Sequence, residues 1–339
     1  MRERLFHLFG AVLLSVSLVL GWFWFGYQSF VTAPLMVTEQ GTVIEVRPGA
    51  SLTAVAHQLE EAGHISSARY FVWMARLSDS AHQIRVGEYR IDAGMTAREL
   101  LQAMVEGRVQ LYALTLVEGW NFRQVMDAVR TSPYLTATLS GLTDAEVMAR
   151  LGHADEHPEG RFFPDTYHFP RGLSDVEFLR RAYRQMSDVL AYEWERRSEG
   201  VPLNTPEEAL VLASIIEKET GVPSERAAIA GVFVRRLQKR MRLQTDPTVI
   251  YGMGLDFDGN LRRRDLTADT PYNTYTRHGL PPTPIAMPGR DSIHAALHPA
   301  AGSALYFVGR GDGSHHFSAT LEEHNRAVRY YQLRRGTPP

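Results

Sequence analysis

Leu5 to Thr38 is a run of 34 residues without a single Asp, Glu, Lys or Arg. Leu8 to Tyr27 supplies twenty of them, rich in Leu, Val, Phe and Trp. At about 1.5 Å per residue a helix of that length is roughly 30 Å long, the thickness of a bilayer's hydrocarbon core. Arg2 and Arg4 precede the run and the next cation is Arg47, so the positive-inside rule puts the N-terminus in the cytoplasm and the rest of the chain outside. Trp22, Trp24 and Tyr27 lie toward the outer end, where amphipathic rings favour the interface. The expectation is an uncleaved single-pass anchor over residues 1–32. The alternative is a signal peptide cut near Val31-Thr32-Ala33; against it, the run exceeds the usual apolar core of a signal, and Pro34 would follow the cut.

The other 300 or so residues have the length for two folded domains. Hydrophobic residues make up 44% and charged residues 22%, which excludes a largely disordered chain. With 36 Lys+Arg against 38 Asp+Glu, the net charge of -2 lacks the basic excess of a dedicated nucleic-acid binder. There is no cysteine, which excludes disulfides, thiol nucleophiles and Cys-ligated zinc or iron–sulfur centres.

After a tether at 33–41, a strand–glycine turn–amphipathic helix pattern occurs three times, around Gly49, Gly94 and Gly119. The spacing is too uneven for a solenoid and suits a compact α+β module over 42–130. Residues 131–158 show little periodicity and read as a boundary. The domain from 131 to 339 is helix-rich. Helices are expected over 176–194, capped by Ser174; from Thr205-Pro206 to about Thr220; and from Ser224 to about Met241. Loops and short strands fill 242–290. A short helix at 292–297, a strand at 305–309 and a terminal helix at 321–333 complete an α+β chain.

Within the second of those helices, Ala209 to Ile216 holds seven apolar residues in eight, the pattern of a helix buried on all sides. Glu217 follows directly. Desolvation and the negative helix terminus both raise a carboxyl pKa there, which is what a general acid near neutral pH requires. Glu219 competes, because it shares a face with Ile215 and Ile216; an ion pair is the plain structural alternative for either glutamate.

The chain resembles the YceG-like family of membrane-anchored endolytic murein (peptidoglycan) transglycosylases. The resemblance is carried by Ala213-Ser214-Ile215-Ile216-Glu217-Lys218-Glu219-Thr220, by Arg242-Leu243-Gln244-Thr245-Asp246-Pro247-Thr248-Val249-Ile250-Tyr251-Gly252, and by Tyr272-Asn273-Thr274-Tyr275. Gly279-Leu280-Pro281-Pro282, His298-Pro299 and the stretch from Glu159-Gly160 to Tyr167 extend it along essentially the whole chain. It implies an essential acid at the first glutamate of Glu-Lys-Glu, Glu217, in a catalytic domain with lysozyme-like acid chemistry. It also implies a LysM-like peptidoglycan-binding module at the N-terminal side and location in the inner membrane with a periplasmic catalytic domain. The implied reaction cuts the MurNAc–GlcNAc bond of nascent strands beside the peptidoglycan synthases and leaves a 1,6-anhydro-MurNAc end, with no cofactor and no metal.

Gln244, Thr245, Asp246, Asn273, Thr274 and Tyr275 are candidates for the sugar cleft, although Asp246-Pro247-Thr248 and Asn273-Thr274 are also ordinary turn formers. His315, at the position of a family histidine, is a further candidate. Asp246 as a second carboxylate would permit hydrolysis, the nearest rival reading; a non-catalytic peptidoglycan-binding scaffold is the other. Asp165 reads as a loop organiser, His294 and His298 as a surface helix, and Arg235, Arg236, Lys239, Arg240 and Arg242 as a solvated basic helix end.

Overall fold

The computed structural model describes residues 2–333, with no side-chain description before Phe6, so the side chains of Arg2 and Arg4 lie outside the described residues. The chain forms two compact units, Met1–Tyr112 with His168–Gly172, and Ala113–Tyr167 with Leu173–Pro339. The first unit therefore closes at Tyr112 and not near 130: the third strand–turn–helix repeat belongs with the second unit.

Unit 1 begins with α1 (Arg2–Thr32). Then come β1 (Thr42–Val46), α2 (Leu52–Glu61), α3 (Ala68–Leu77), β2 (Gly87–Ile91) and α4 (Ala97–Glu106). Strands β1 and β2 pair antiparallel, from Thr42 opposite Ile91 to Val46 opposite Gly87. Ser51, Ser67 and Thr96 cap the three short helices, and Thr96 with Glu99 forms a reciprocal capping box. Leu59, Phe71, Tyr89, Ile91, Leu100 and Met104 fill a core that also takes Tyr27, Phe30 and Val31 from the end of α1. Residues 33–41 are packed and not a free tether. Leu35 is buried, its amide donates to Met95 O at 2.7 Å, and the Met36 amide donates to His64 O at 3.0 Å. The backbone of this segment satisfies its hydrogen bonds on the unit, which leaves no slack between α1 and the core.

The remaining elements are β3 (Leu111–Thr115), α5 (Phe122–Thr131), α6 (Asp144–Leu151), β4 (Thr166–Pro170) and α7 (Asp175–Glu195). They continue with α8 (Pro206–Glu219), α9 (Arg226–Gln238), α10 (Asp246–Met253), α11 (Arg263–Thr267) and α12 (Arg290–Leu297). A hairpin of β5 (Tyr306–Gly309) and β6 (His315–Ser318) pairs Phe307 with Phe317, and α13 (Leu321–Tyr331) packs on it. The chain is α+β, as expected. Helix α8 is its centre: α7, α9, α10 and α12 pack around it, and every residue from Ala209 to Ile216 is buried. Thr205 caps it through the Glu208 amide, with Pro206 in the first turn.

Three expectations are corrected. Residues 131–158, read as an aperiodic boundary, contain α6, whose Thr143–Glu146 capping box compensates for its short length. The stretch 242–290 holds two helices and no described strand; Asp246-Pro247, read as a turn, opens α10. Gly313 to Phe317, read as a polar cluster, supplies the edge of the last hairpin.

Leu100 is fully buried in unit 1. Replacing it with Ala removes transfer energy and leaves a cavity, so urea unfolding followed by circular dichroism should show a loss of about 2–5 kcal/mol.

Candidate active site

Successive residues on a helix point about 100° apart, so the last turn of α8 sends Glu217, Lys218 and Glu219 three ways. Glu217 accepts from the Gly289 amide at 2.9 Å and faces Arg226 at 3.9 Å, with its side chain only 7% exposed. Arg226 also meets Glu118 at 3.9 Å and Asp291 at 3.2 Å. Glu118 stands so close to Gly289 that any Cβ there would collide with its carboxylate. Burial, and then the nearby Glu217 charge, push the Glu118 carboxyl above its ordinary range. Lys218 turns to donate to Gly119 O at 3.2 Å. Glu217 is thus neither in bulk solvent nor free: it belongs to a knot of three carboxylates around one guanidinium that joins the starts of α9 and α12.

Glu219 is different. Its carboxylate accepts from the buried Thr245 hydroxyl and forms part of the wall of a cavity of about 520 Å³. Gln244, Asp246, Tyr275 and His315 line the same cavity, together with Arg236 and Tyr306. Burial raises the Glu219 carboxyl pKa; the Thr245 hydrogen bond opposes this, the Asp246 charge adds to it, and His315 opposes it. Tyr275 donates its hydroxyl to Asp246 at 2.5 Å. His315 is fixed by Glu225, which accepts from its amide at 2.9 Å and meets Nδ1 at 2.7 Å, so the other ring nitrogen is left for the cavity side.

The expected cleft residues thus gather around the second glutamate of the Glu-Lys-Glu run, and the expectation that Glu217 is the acid among them is corrected. The physical reason is angular: two residues apart on a helix is about 200° of rotation, so only one of the two glutamates can face a given cavity. Asn273 and Thr274 are corrected as well. Asn273 is fully buried; its amide donates to Asp265, Leu266 and Ala268 carbonyls, and its own oxygen accepts from the Tyr275 amide. Thr274 accepts from the Thr245 amide at 3.1 Å and pairs with Thr248. Both hold the loop that presents Tyr275. Asp165 orders its own loop, as expected, by bonding the Thr166 amide and Gln185.

Arg236 was not legible as a site residue. It was grouped with a solvated helix end, yet it is 7% exposed and donates to the carbonyls of Leu305, Arg242 and Leu243 and to Gln244 Oε1. Those bonds hold Gln244 at φ +54°, a left-handed conformation that costs a non-glycine residue on the order of 1 kcal/mol. A strained side chain at the wall of a cavity is a mark of a functional position, and periodicity alone carries no signal for it.

A second cavity, about 870 Å³, has Lys218, Tyr251, Tyr272 and Glu159 on its wall. Burial raises the Glu159 carboxyl to about 7, against hydrogen bonds from the Phe122 amide at 3.0 Å and the Tyr251 hydroxyl at 3.0 Å. Glu159 is only 3% exposed with both oxygens engaged, so it ties α5 to α10 and has no reach to a ligand. The larger cavity therefore lacks an available acid, and the smaller one has it. Among the described residues, Glu193, His294 and His298 are grouped closely enough to hold a metal ion, but Glu193 already meets His294 at 2.9 Å and Arg290 at 3.4 Å, and His298 meets Ser198 at 3.1 Å.

With this geometry in view, the comparisons with known proteins are specific. The profile of the YceG-like family matches residues 44–330. The chain is 32% identical over 327 residues to the endolytic murein transglycosylase of Bacillus subtilis, covering 91% of this chain and 89% of that protein. It is 25% identical over 342 residues to the endolytic murein transglycosylase of Streptococcus pneumoniae, covering 90% of this chain and 61% of that longer protein. A crystal structure of a yceG-like protein of Listeria monocytogenes aligns with 85% of this chain and 99% of its own, at a TM-score of 0.54 and 29% identity. The chain belongs to the YceG-like family.

The buried Glu159 gives a pH test. Its proton is held more tightly in the folded chain (about 7) than at the ordinary value of 4.5, so its contribution is full below 4.5 and is lost as pH rises through 7. Wild-type unfolding free energy should fall across that window by up to about 3 kcal/mol, and Glu159→Gln should remove that part of the slope in urea titrations at pH 4.5 and 7.5.

Proposed function

We propose that this protein is a single-pass, membrane-anchored lytic transglycosylase of peptidoglycan in which Glu219 is the acid. The observation that carries the reading is the buried Glu219 carboxyl, raised in pKa, at a cavity that also gathers Gln244, Asp246, Tyr275 and His315. The name endolytic murein transglycosylase, borne by a relative of which the chain covers 89%, supports the substrate class.

A glycosidase that consumes water uses two carboxylates; a lytic transglycosylase manages with one. Protonated Glu219 gives its proton to the oxygen joining MurNAc C1 to GlcNAc O4, and the C1–O bond breaks. The MurNAc C6 hydroxyl then attacks C1, and its proton passes to the Glu219 carboxylate. The acid is regenerated, and the product is a 1,6-anhydro-MurNAc end. Because nucleophile and electrophile share one sugar, the second step gains from high effective molarity. Thr245 holds the Glu219 carboxyl in place through its hydroxyl, while Asp246, kept in position by Tyr275, supplies negative charge beside the oxocarbenium-like centre. Gln244 and His315 are positioned to bind sugar hydroxyls and amides.

The apolar stretch of α1, Phe6–Thr32, with a mean hydropathy of 2.1, supports the single span. We place the N-terminus in the cytoplasm and the two units on the periplasmic side of the inner membrane. The β1–α2–α3–β2 order of unit 1 supports a LysM-like peptidoglycan-binding module, ending at Tyr112. An anchored cutter of this kind would act on nascent strands near the membrane, beside the synthases that extrude them. The rival hydrolytic reading is favoured by the second carboxylate, Asp246, in the same cavity.

Mass spectrometry of glycan strands digested by the full chain separates these readings, since anhydro ends are lighter than reducing ends by one water. Glu219→Gln should lower the cleavage rate by about 10²-fold or more while retaining strand binding. Glu217→Gln should keep anhydro products within an order of magnitude of wild type. Loss of cleavage in Glu217→Gln alone would return the acid to position 217, and reducing ends would make the protein a hydrolase.

A further inference from the structure

Helix α3 of unit 1 buries Ala68, Phe71, Val72, Met74 and Ala75. Its other face exposes Arg69, Trp73, Arg76 and Leu77, at i, i+4, i+7 and i+8, a single stripe of a helix surface. Trp73 is 45% exposed and Leu77 71% exposed. Neither Arg69 nor Arg76 has a carboxylate partner among the described residues. Two large apolar side chains flanked by two free guanidinium groups make an unusual water-facing surface.

The position of that stripe along α1 identifies what covers it. A hydrocarbon core of about 30 Å takes about 20 helical residues. Counted from Phe6, where the apolar stretch begins, the core ends near Phe25. Phe23 therefore lies at the outer boundary of the hydrocarbon, between Trp22 and Trp24, both of which are exposed. The Phe23 ring meets Trp73 at 4.7 Å and Tyr70 at 5.4 Å between centroids. The close approach is built in: at Gly26, an added Cβ would come within 2.9 Å of the Tyr70 hydroxyl. Tyr27, Phe30 and Val31 continue into the core of the unit, and the packed segment after α1 leaves no hinge. Trp73 is thus held level with the interfacial rings of the span itself.

We propose that α3 is a second membrane contact: Trp73 and Leu77 enter the outer-leaflet interface beside α1, and Arg69 and Arg76 reach lipid headgroup phosphates. Tryptophan is favoured at that depth, and arginine buries its stem while its charged end stays in the headgroups. The helix then fixes unit 1 directly on the bilayer surface. This inference rests on the reading of α1 as a membrane span.

The absence of cysteine makes the test direct. Nitroxide is attached to the full chain at Leu14→Cys, Leu77→Cys or Glu61→Cys, each an exposed position. The chains are reconstituted in phosphatidylcholine–phosphatidylglycerol vesicles, and collision with oxygen and with a water-soluble nickel chelate is measured by electron paramagnetic resonance. The expected result is high oxygen and low nickel accessibility at 14, a severalfold lower nickel-to-oxygen ratio at 77 than at 61, and return of 77 toward the value at 61 when Trp73→Ser is added. A label at 77 that meets nickel as freely as the one at 61, with 14 still in the lipid, overturns the inference and leaves the anchor standing. A label at 77 shielded from both reagents means a protein covers the stripe and also overturns it. A label at 14 that meets nickel overturns the anchor and this inference together.

Discussion

Complete burial of α8 is the constraint on which the catalytic unit depends. Eight consecutive buried residues, Ala209 to Ile216, can be satisfied only if helices surround that segment, and α7, α9, α10 and α12 do so. A helix so enclosed has its rotation fixed. The direction of each side chain in its final turn is then fixed too, and three polar residues leave the apolar core along three separate lines. Glu217 enters the guanidinium knot at the starts of α9 and α12, Lys218 meets a backbone carbonyl, and Glu219 reaches the polar cavity.

The two carboxylates illustrate how environment divides labour between chemically identical groups. Glu217 has a full cation and a backbone amide within reach, partners suited to an anion that ties elements together. Glu219 has a neutral hydroxyl, a neighbouring carboxylate and little water, surroundings in which a carboxyl keeps its proton to higher pH. The knot around Arg226 still serves the site, because it fixes the end of the helix from which Glu219 projects. Arg236 performs the matching service on the opposite wall, where its hydrogen bonds hold the Gln244 loop in a strained shape.

Much of the fold was legible because local signals agreed. The Thr205-Pro206 start of α8, the Ser174 cap of α7 and the alternation in β1 each have a short-range cause. Helix α6 was not, since its eight residues are too few for a clear period and are stabilised by packing and a capping box. In the site, the residues that gather at the cavity were largely identified, but not which glutamate they serve. That choice depends on rotation about the α8 axis, which tertiary packing sets and a run of apolar residues on all sides leaves undetermined. Asn273 and Thr274 were chosen for their polarity, and their polarity is spent on backbone groups of their own loop. Arg236 was hidden by its charge: nothing local distinguishes an arginine that will be buried against carbonyls from its solvated neighbours. The packing of 33–41 was equally invisible, because its partners Met95 and His64 lie far along the chain.

The central claim is that one desolvated carboxyl, at position 219, holds its proton above the ordinary range. Carbon-13-edited infrared difference spectra of glutamate-labelled full chain, with the Glu219→Gln spectrum subtracted at each pH, isolate that group. The account predicts a protonated carboxyl band that titrates clearly above the ordinary glutamate value of about 4.3. A band that disappears at or below that value would contradict it.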